Sequence, residues 1–103
     1  MDLTDIEMWL EIASSHQKVP INRRRFSALI GLKPEVVSVL WVLVADRLRA
    51  EHQNPLHLLW LLYWFKVYDT DDICGITWGV DRGTFGLHRD ICLMVLYESL
   101  DLV

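Results

Sequence analysis

Apolar residues recur along this chain at spacings of three and four, between short polar breaks that hold a capping residue, a proline or a glycine. Nowhere does apolar and polar alternation persist at period two, as a half-buried strand requires, so the pattern predicts an all-α domain of five to six helices. The first helix runs from about Asp5 to Ser15, with Thr4 as N-cap, acids Asp5 and Glu7 in the first turn, and Ile6, Trp9, Leu10 and Ala13 on one stripe. Lys18-Val19-Pro20 breaks it. Asn22 then caps a short helix of about Arg23 to Ile30, with Phe26, Leu29 and Ile30 as its buried face, and Gly31 ends that helix.

Lys33-Pro34 restarts the chain with proline at the first helical position, and Glu35 to about Ala50 forms the third helix. Its centre, from Val36 to Ala45, is rich in β-branched residues, so a strand competes locally; length and the Pro34 start favour helix. Asn54-Pro55 repeats the cap-plus-proline signal and opens a helix to about Val67. That helix is apolar nearly all round, which makes it either the central core element or one partly covered by another chain. Thr70 caps a short helix with Asp71 and Asp72 in its first turn, Gly79 closes it, and a final helix runs from about Asp81 to Leu100 with Ile91, Met94 and Val95 inward. With no internal repeat, low-complexity tract or linker, residues 1–103 read as one domain.

From Thr70 to Ile91 the spacing is that of a helix-turn-helix, placed at about residues 70–100: Gly75 where the two helices cross, Gly79 four positions later in the turn, then apolar Val80. Two helices packed over a short turn need a missing side chain at the crossing and a residue tolerant of positive φ at the turn. Ile73, Ile76 and Trp78 supply the expected apolar backing, and Phe85, Leu87 and Ile91 the facing side.

Composition narrows the function. At 103 residues and 52% hydrophobic, the chain can bury a core without disulfides or a structural metal. Two cysteines and no basic n-region with a cleavage site point to a reducing, intracellular setting. The longest nearly uncharged stretches, Val36 to Ala45 and Pro55 to Phe65, are too short to span a membrane. A formal charge of −4 opposes a polyanion at long range, but the cations are unevenly placed, with Arg23, Arg24 and Arg25 in one block and Arg82 and Arg89 together in the last helix.

Catalytic and metal chemistry find little support. Cys74, His88 and Cys92 have no fourth ligand at a convincing spacing and read as buried thiols and a packed or capping histidine. Asp69, Asp71 and Asp72 are explained by capping and the helix dipole. No phosphate loop, nucleophile elbow or HExxH is present, so the chain is expected to be no enzyme by itself and to need no cofactor and no metal. The five tryptophans fall in apolar stretches and read as core or interface packing.

The block from Phe26 to Val44, the proline-opened leucine-rich stretch from Pro55 to Phe65, and Trp78-Gly79-Val80-Asp81-Arg82-Gly83-Thr84-Phe85-Gly86-Leu87-His88-Arg89 together resemble the N-terminal helix-turn-helix region of DDE-superfamily transposases of the Harbinger and related insertion-sequence groups. The resemblance covers roughly residues 26–100, and its last part is the specific one. It implies recognition of double-stranded DNA by the final helix, in a host whose catalytic domain is missing here. The departures matter equally. The face expected to point outward carries Arg82, Gly86, Arg89, Asp90, Leu93 and Tyr97; Gly83 and Gly86 offer no reading group, and Asp81 and Asp90 would oppose phosphate.

Two readings follow. In the first, the domain binds DNA through Arg82, Thr84 and Arg89, with backbone contacts from Arg23, Arg24 and Arg25, and dimerises to reach useful affinity. The competing readings of the Arg23–Arg25 block are a fragment of a nuclear-import signal, which would place the protein in the nucleus of a eukaryote, and a solvated helix face. In the second, a protein-interaction or dimerisation domain keeps the helical fold without DNA affinity, and Leu93, Tyr97 and Leu100 contact a second copy or a partner protein.

Overall fold

The computed structural model describes residues 3–15, 17 and 20–99. Leu100, the Lys18-Val19 break and the side chain of Thr4 lie outside them. Six helices follow in order: α1 Leu3–Ser14, α2 Arg23–Ile30, α3 Pro34–Ala50, α4 Pro55–Val67, α5 Asp71–Trp78 and α6 Arg82–Ser99. Among the described residues there is no strand. The expected boundaries hold to within a residue or two, and α1 opens at Leu3, so Thr4 is helical rather than a cap.

The cap chemistry read from the sequence sets these ends. The side chain of Asn22 accepts from the Arg25 amide, and Gly31 closes α2 in the left-handed region at φ 87°. Asn54 and His57 form a reciprocal capping box over Pro55, each side chain accepting the other's backbone N–H. Thr70 caps α5 and Gly79 ends it at φ 73°.

α4 is the central core element. Leu58 through Tyr63 are all buried on it, and α6, α2 and α1 pack around it. α3 packs on α1 and α6. Helical period divides its β-branched tract in two: Val37, Trp41, Val44 and Leu48 face the core, whereas Val36, Val39, Val42 and Leu43 face outward. Trp9 of α1 meets Trp41 edge-on at 6.2 Å, and Ser14 holds the returning chain by accepting from the Ile21 amide at 2.8 Å. Trp9, Trp41, Trp60 and Trp78 are all core residues. No single helix among the described residues is long and apolar enough to cross a membrane; α2 and α3 reach that length and composition only together, across a 58° bend.

The inward faces of α5 and α6 need correction. Ile76 is 78% exposed, Leu87 59%, and Ile73 and Met94 are also largely exposed, although each was expected inward. Gly86, expected outward, is buried. The buried line of α6 is Phe85, Cys92, Val95 and Leu96, set by Phe85 stacking on Trp60 of α4 at 5.6 Å. His88 and Arg89 ride inward with that line because each finds a polar partner there, so a reading that sends every polar residue outward turns the helix to the wrong phase.

Candidate functional site

The α5–turn–α6 corner is built on Gly75. A Cβ at that position would lie 2.5 Å from the Val80 carbonyl oxygen and 3.3 Å from the Asp81 carbonyl carbon, both backbone atoms. The Val80 amide in turn donates to the Gly75 carbonyl at 2.9 Å, so the turn closes directly onto the glycine. Asp81 then opens α6. Its carboxylate accepts the Thr84 hydroxyl, and that bond, with further help from backbone amides, holds the carboxyl below the usual carboxylate range.

Arg89 joins the two helices. Its guanidinium forks onto the Asp71 carboxylate at the start of α5 and bonds Asp90 beside it, with Nη2 to Asp71 Oδ2 at 3.3 Å. The same group lies 4.8 Å from the centroid of the Trp64 ring, and its side chain is only 12% exposed. Gly86 leaves the space for Asp71: an added Cβ would meet its Oδ2 at 2.8 Å. A glycine in mid-helix was the signal in the sequence that this face of α6 points inward.

The remaining candidates are dispersed. Arg82 is largely exposed, 3.8 Å from Asp72, and Thr84 is occupied by Asp81. Arg23 pairs with Glu35, whereas Arg24 and Arg25 are exposed with no ionic partner among the described residues. α2 packs on α4, α1 and α3, while α6 packs on α4, α5 and α3, so the two arginine groups stand on helices that share neighbours without packing extensively on each other. Leu93 is partly buried against the core and Tyr97 is exposed. The outward stripe of α6 is Leu87, Asp90, Met94 and Tyr97, one face at helical spacing; Leu87 and Met94 were not expected on it.

A second polar cluster ties α6 to the start of α4. The buried Gln53 accepts at Oε1 from His88 Nδ1 at 2.8 Å and from the Cys92 thiol at 3.9 Å, while its amide nitrogen donates to the Glu51 carbonyl at 2.9 Å. The His88 ring stacks on His57 at 3.8 Å with the planes 9° apart. Burial, and next the neighbouring His88, bring His57 down to about 4, and burial alone pushes the Cys92 thiol up to about 12. A thiol so placed is protonated and unreactive. No three His, Cys, Asp or Glu side chains converge as a metal would require among the described residues. Compared with known proteins, the chain matches no family model, no curated protein and no solved structure.

Proposed function

We propose that this chain is a protein-interaction domain on a helix-turn-helix scaffold, with the outer face of α6 as its contact surface. The observation that carries the reading is the state of Arg89. One of the two α6 arginines that the sequence offers for reading a base is folded inward onto Asp71, Asp90 and Trp64, and the other, Arg82, stands exposed 3.8 Å from Asp72. Beyond Arg82 at its first position, α6 offers outward Leu87, Met94 and Tyr97 around Asp90, an apolar and acidic stripe that fits a protein surface and repels phosphate. The net charge of −4 acts in the same direction. In this reading the domain keeps a transposase-like architecture inside the cell, in the nucleus of a eukaryote, and uses it without catalysis.

DNA binding is the second reading, favoured by Arg24 and Arg25, which are exposed and have no ionic partner among the described residues. Fluorescence anisotropy of a labelled random duplex separates the two. A phosphate-bound complex forms at low salt and weakens steeply as salt rises. We expect no saturable binding even at low salt. Saturable, salt-sensitive binding lost in Arg24→Ala/Arg25→Ala would establish the DNA reading instead. In parallel, partners captured on the wild-type domain are expected to be lost on Leu87→Asp/Tyr97→Asp. Partners retained by that variant would remove α6 as the contact face.

A further inference from the structure

We infer that the cleft between the starts of α2 and α3 is a binding site for a dianion of the phosphomonoester type. The cleft is lined by Arg23, Arg24 and Ser27 of α2 and by Lys33, Pro34 and Glu35 at the opening of α3, and its volume is about 240 Å³. The ion pair of Arg23 with Glu35 braces one helix start against the other. Arg24 and Lys33 stand exposed with no ionic partner among the described residues. Three cations against one carboxylate leave the cleft at +2.

The rest of the chain makes that charge selective. The protein carries −4 overall, so with +2 in the cleft the remaining residues carry −6. A long polyanion laid across the domain meets that negative charge, whereas a compact group seated in the cleft meets chiefly the three cations. A phosphomonoester loses its second proton at about pH 6 and is a dianion above it, which matches +2, whereas each diester of a nucleic-acid backbone carries a single charge. The arginines supply planar forks for pairs of phosphate oxygens, Lys33 a point charge, and the half-buried Ser27 a hydroxyl. The first turn of α3, whose N-cap residue Lys33 makes no side-chain cap bond, adds the positive end of its dipole to these groups. The site needs neither the α6 stripe nor a duplex, so it stands or falls separately from both readings of function.

Inorganic phosphate is the first probe, titrated into the full chain at about pH 7.5 against chloride at constant ionic strength and followed by backbone amide NMR shifts. A saturable shift confined to the starts of α2 and α3 is expected, with a dissociation constant on the order of 1 mM. Arg24→Gln/Lys33→Gln is expected to weaken binding at least about tenfold with an unchanged helical spectrum. Arg47→Gln removes an exposed cation at the other end of α3 and is expected to change it less than about twofold. Shifts that do not saturate, or a loss as large in Arg47→Gln as in the double variant, would overturn the site. Dimethyl phosphate, a singly charged diester, is expected to bind at least about tenfold more weakly than inorganic phosphate. Equal binding of the diester would overturn the dianion assignment and count towards the DNA reading. A phosphoserine peptide and its unphosphorylated form then identify the source of the group. Displacement of inorganic phosphate by the phosphopeptide alone assigns the cleft to a phosphorylated protein segment, and no displacement by either assigns it to a free phosphate. Displacement by both forms equally would overturn phosphate recognition.

Discussion

At the α5–α6 corner Arg89 is held by Asp71, Asp90 and the face of Trp64, whereas on α2 Arg24 and Arg25 stand in solvent with no ionic partner among the described residues. In the sequence all three are candidate DNA contacts, Arg89 in the final helix and Arg24 and Arg25 as backbone contacts. In the fold one is part of the structure and the others are not. The difference comes from what each helix packs against. α6 has Asp71 and an aromatic ring within reach across the corner, and a planar guanidinium satisfies both at once. α2 turns Phe26 and Ile30 to the core and leaves its first turn outside.

The corner breaks hardest at Gly75. Gly→Ala inside a helix ordinarily gains up to about 1 kcal/mol. Here the new Cβ would meet Val80 backbone at 2.5 Å, so Gly75→Ala is expected to lose about 2 kcal/mol or more in urea denaturation. Gly86→Ala is the milder control, because the atom it meets is the end of the Asp71 side chain, which can move. A loss of roughly 1 kcal/mol or less is expected there. Equal losses at the two glycines would mean that the turn backbone yields as easily as a carboxylate.

Arg89→Met comes next. It keeps the apolar contact with Trp64, removes the charge, and is expected to cost about 1–2 kcal/mol. Arg89→Lys recovers only part of this, since an ammonium cannot fork onto Asp71. A double-mutant cycle with Asp71→Asn is expected to give a coupling of about 1 kcal/mol. Coupling near zero would show that the arginine acts through packing alone.

The second polar cluster of α6 responds to acid. His57 is neutral in the folded state, at about 4 against 6.5 for the free side chain. Between those values the unfolded chain takes up a proton that the folded chain refuses. The contribution is therefore fully present above about pH 6.5 and is lost as pH falls toward 4. Allowing for its half-exposure, the loss is on the order of 1–2 kcal/mol. His57→Gln keeps a side chain suited to the capping box and is expected to flatten the pH dependence of the melting temperature in that window. An unchanged slope would move the effect to another group.

Where local chemistry decides, the fold was legible. Asn22, Asn54, Pro34, Pro55, Gly31 and Gly79 mark helix ends, and each end lies where its residue placed it. Gly75 was legible because only a missing side chain fits under Val80. Rotation of the helices was not legible. Phase depends on a tertiary partner: Asp71 and Gln53 draw Arg89 and His88 inward, which turns Leu87 and Met94 out. Neither partner is close to α6 in sequence. The outer face of α3 was hidden for a related reason, since a run of β-branched residues gives no sign of which members meet the core until the helix is placed against α1 and α6.

The smallest effect is expected at the arginines of α2, and it sharpens the contrast most directly. Arg24→Ala/Arg25→Ala removes two exposed cations that have no ionic partner among the described residues, so stability should change by less than about 0.5 kcal/mol, in either direction, at any salt concentration. Arg23→Ala loses an exposed pair with Glu35, which is worth at most about 0.5 kcal/mol and is screened by salt. Thermal melts of the three variants at low and high salt check this. A double variant that is markedly less stable would mean that Arg24 and Arg25 carry a structural contact. An inert double variant leaves them as positions where a change in binding, to DNA or to protein, is separable from a change in folding. Arg89 offers no such separation, because any substitution there alters the corner before it alters a contact.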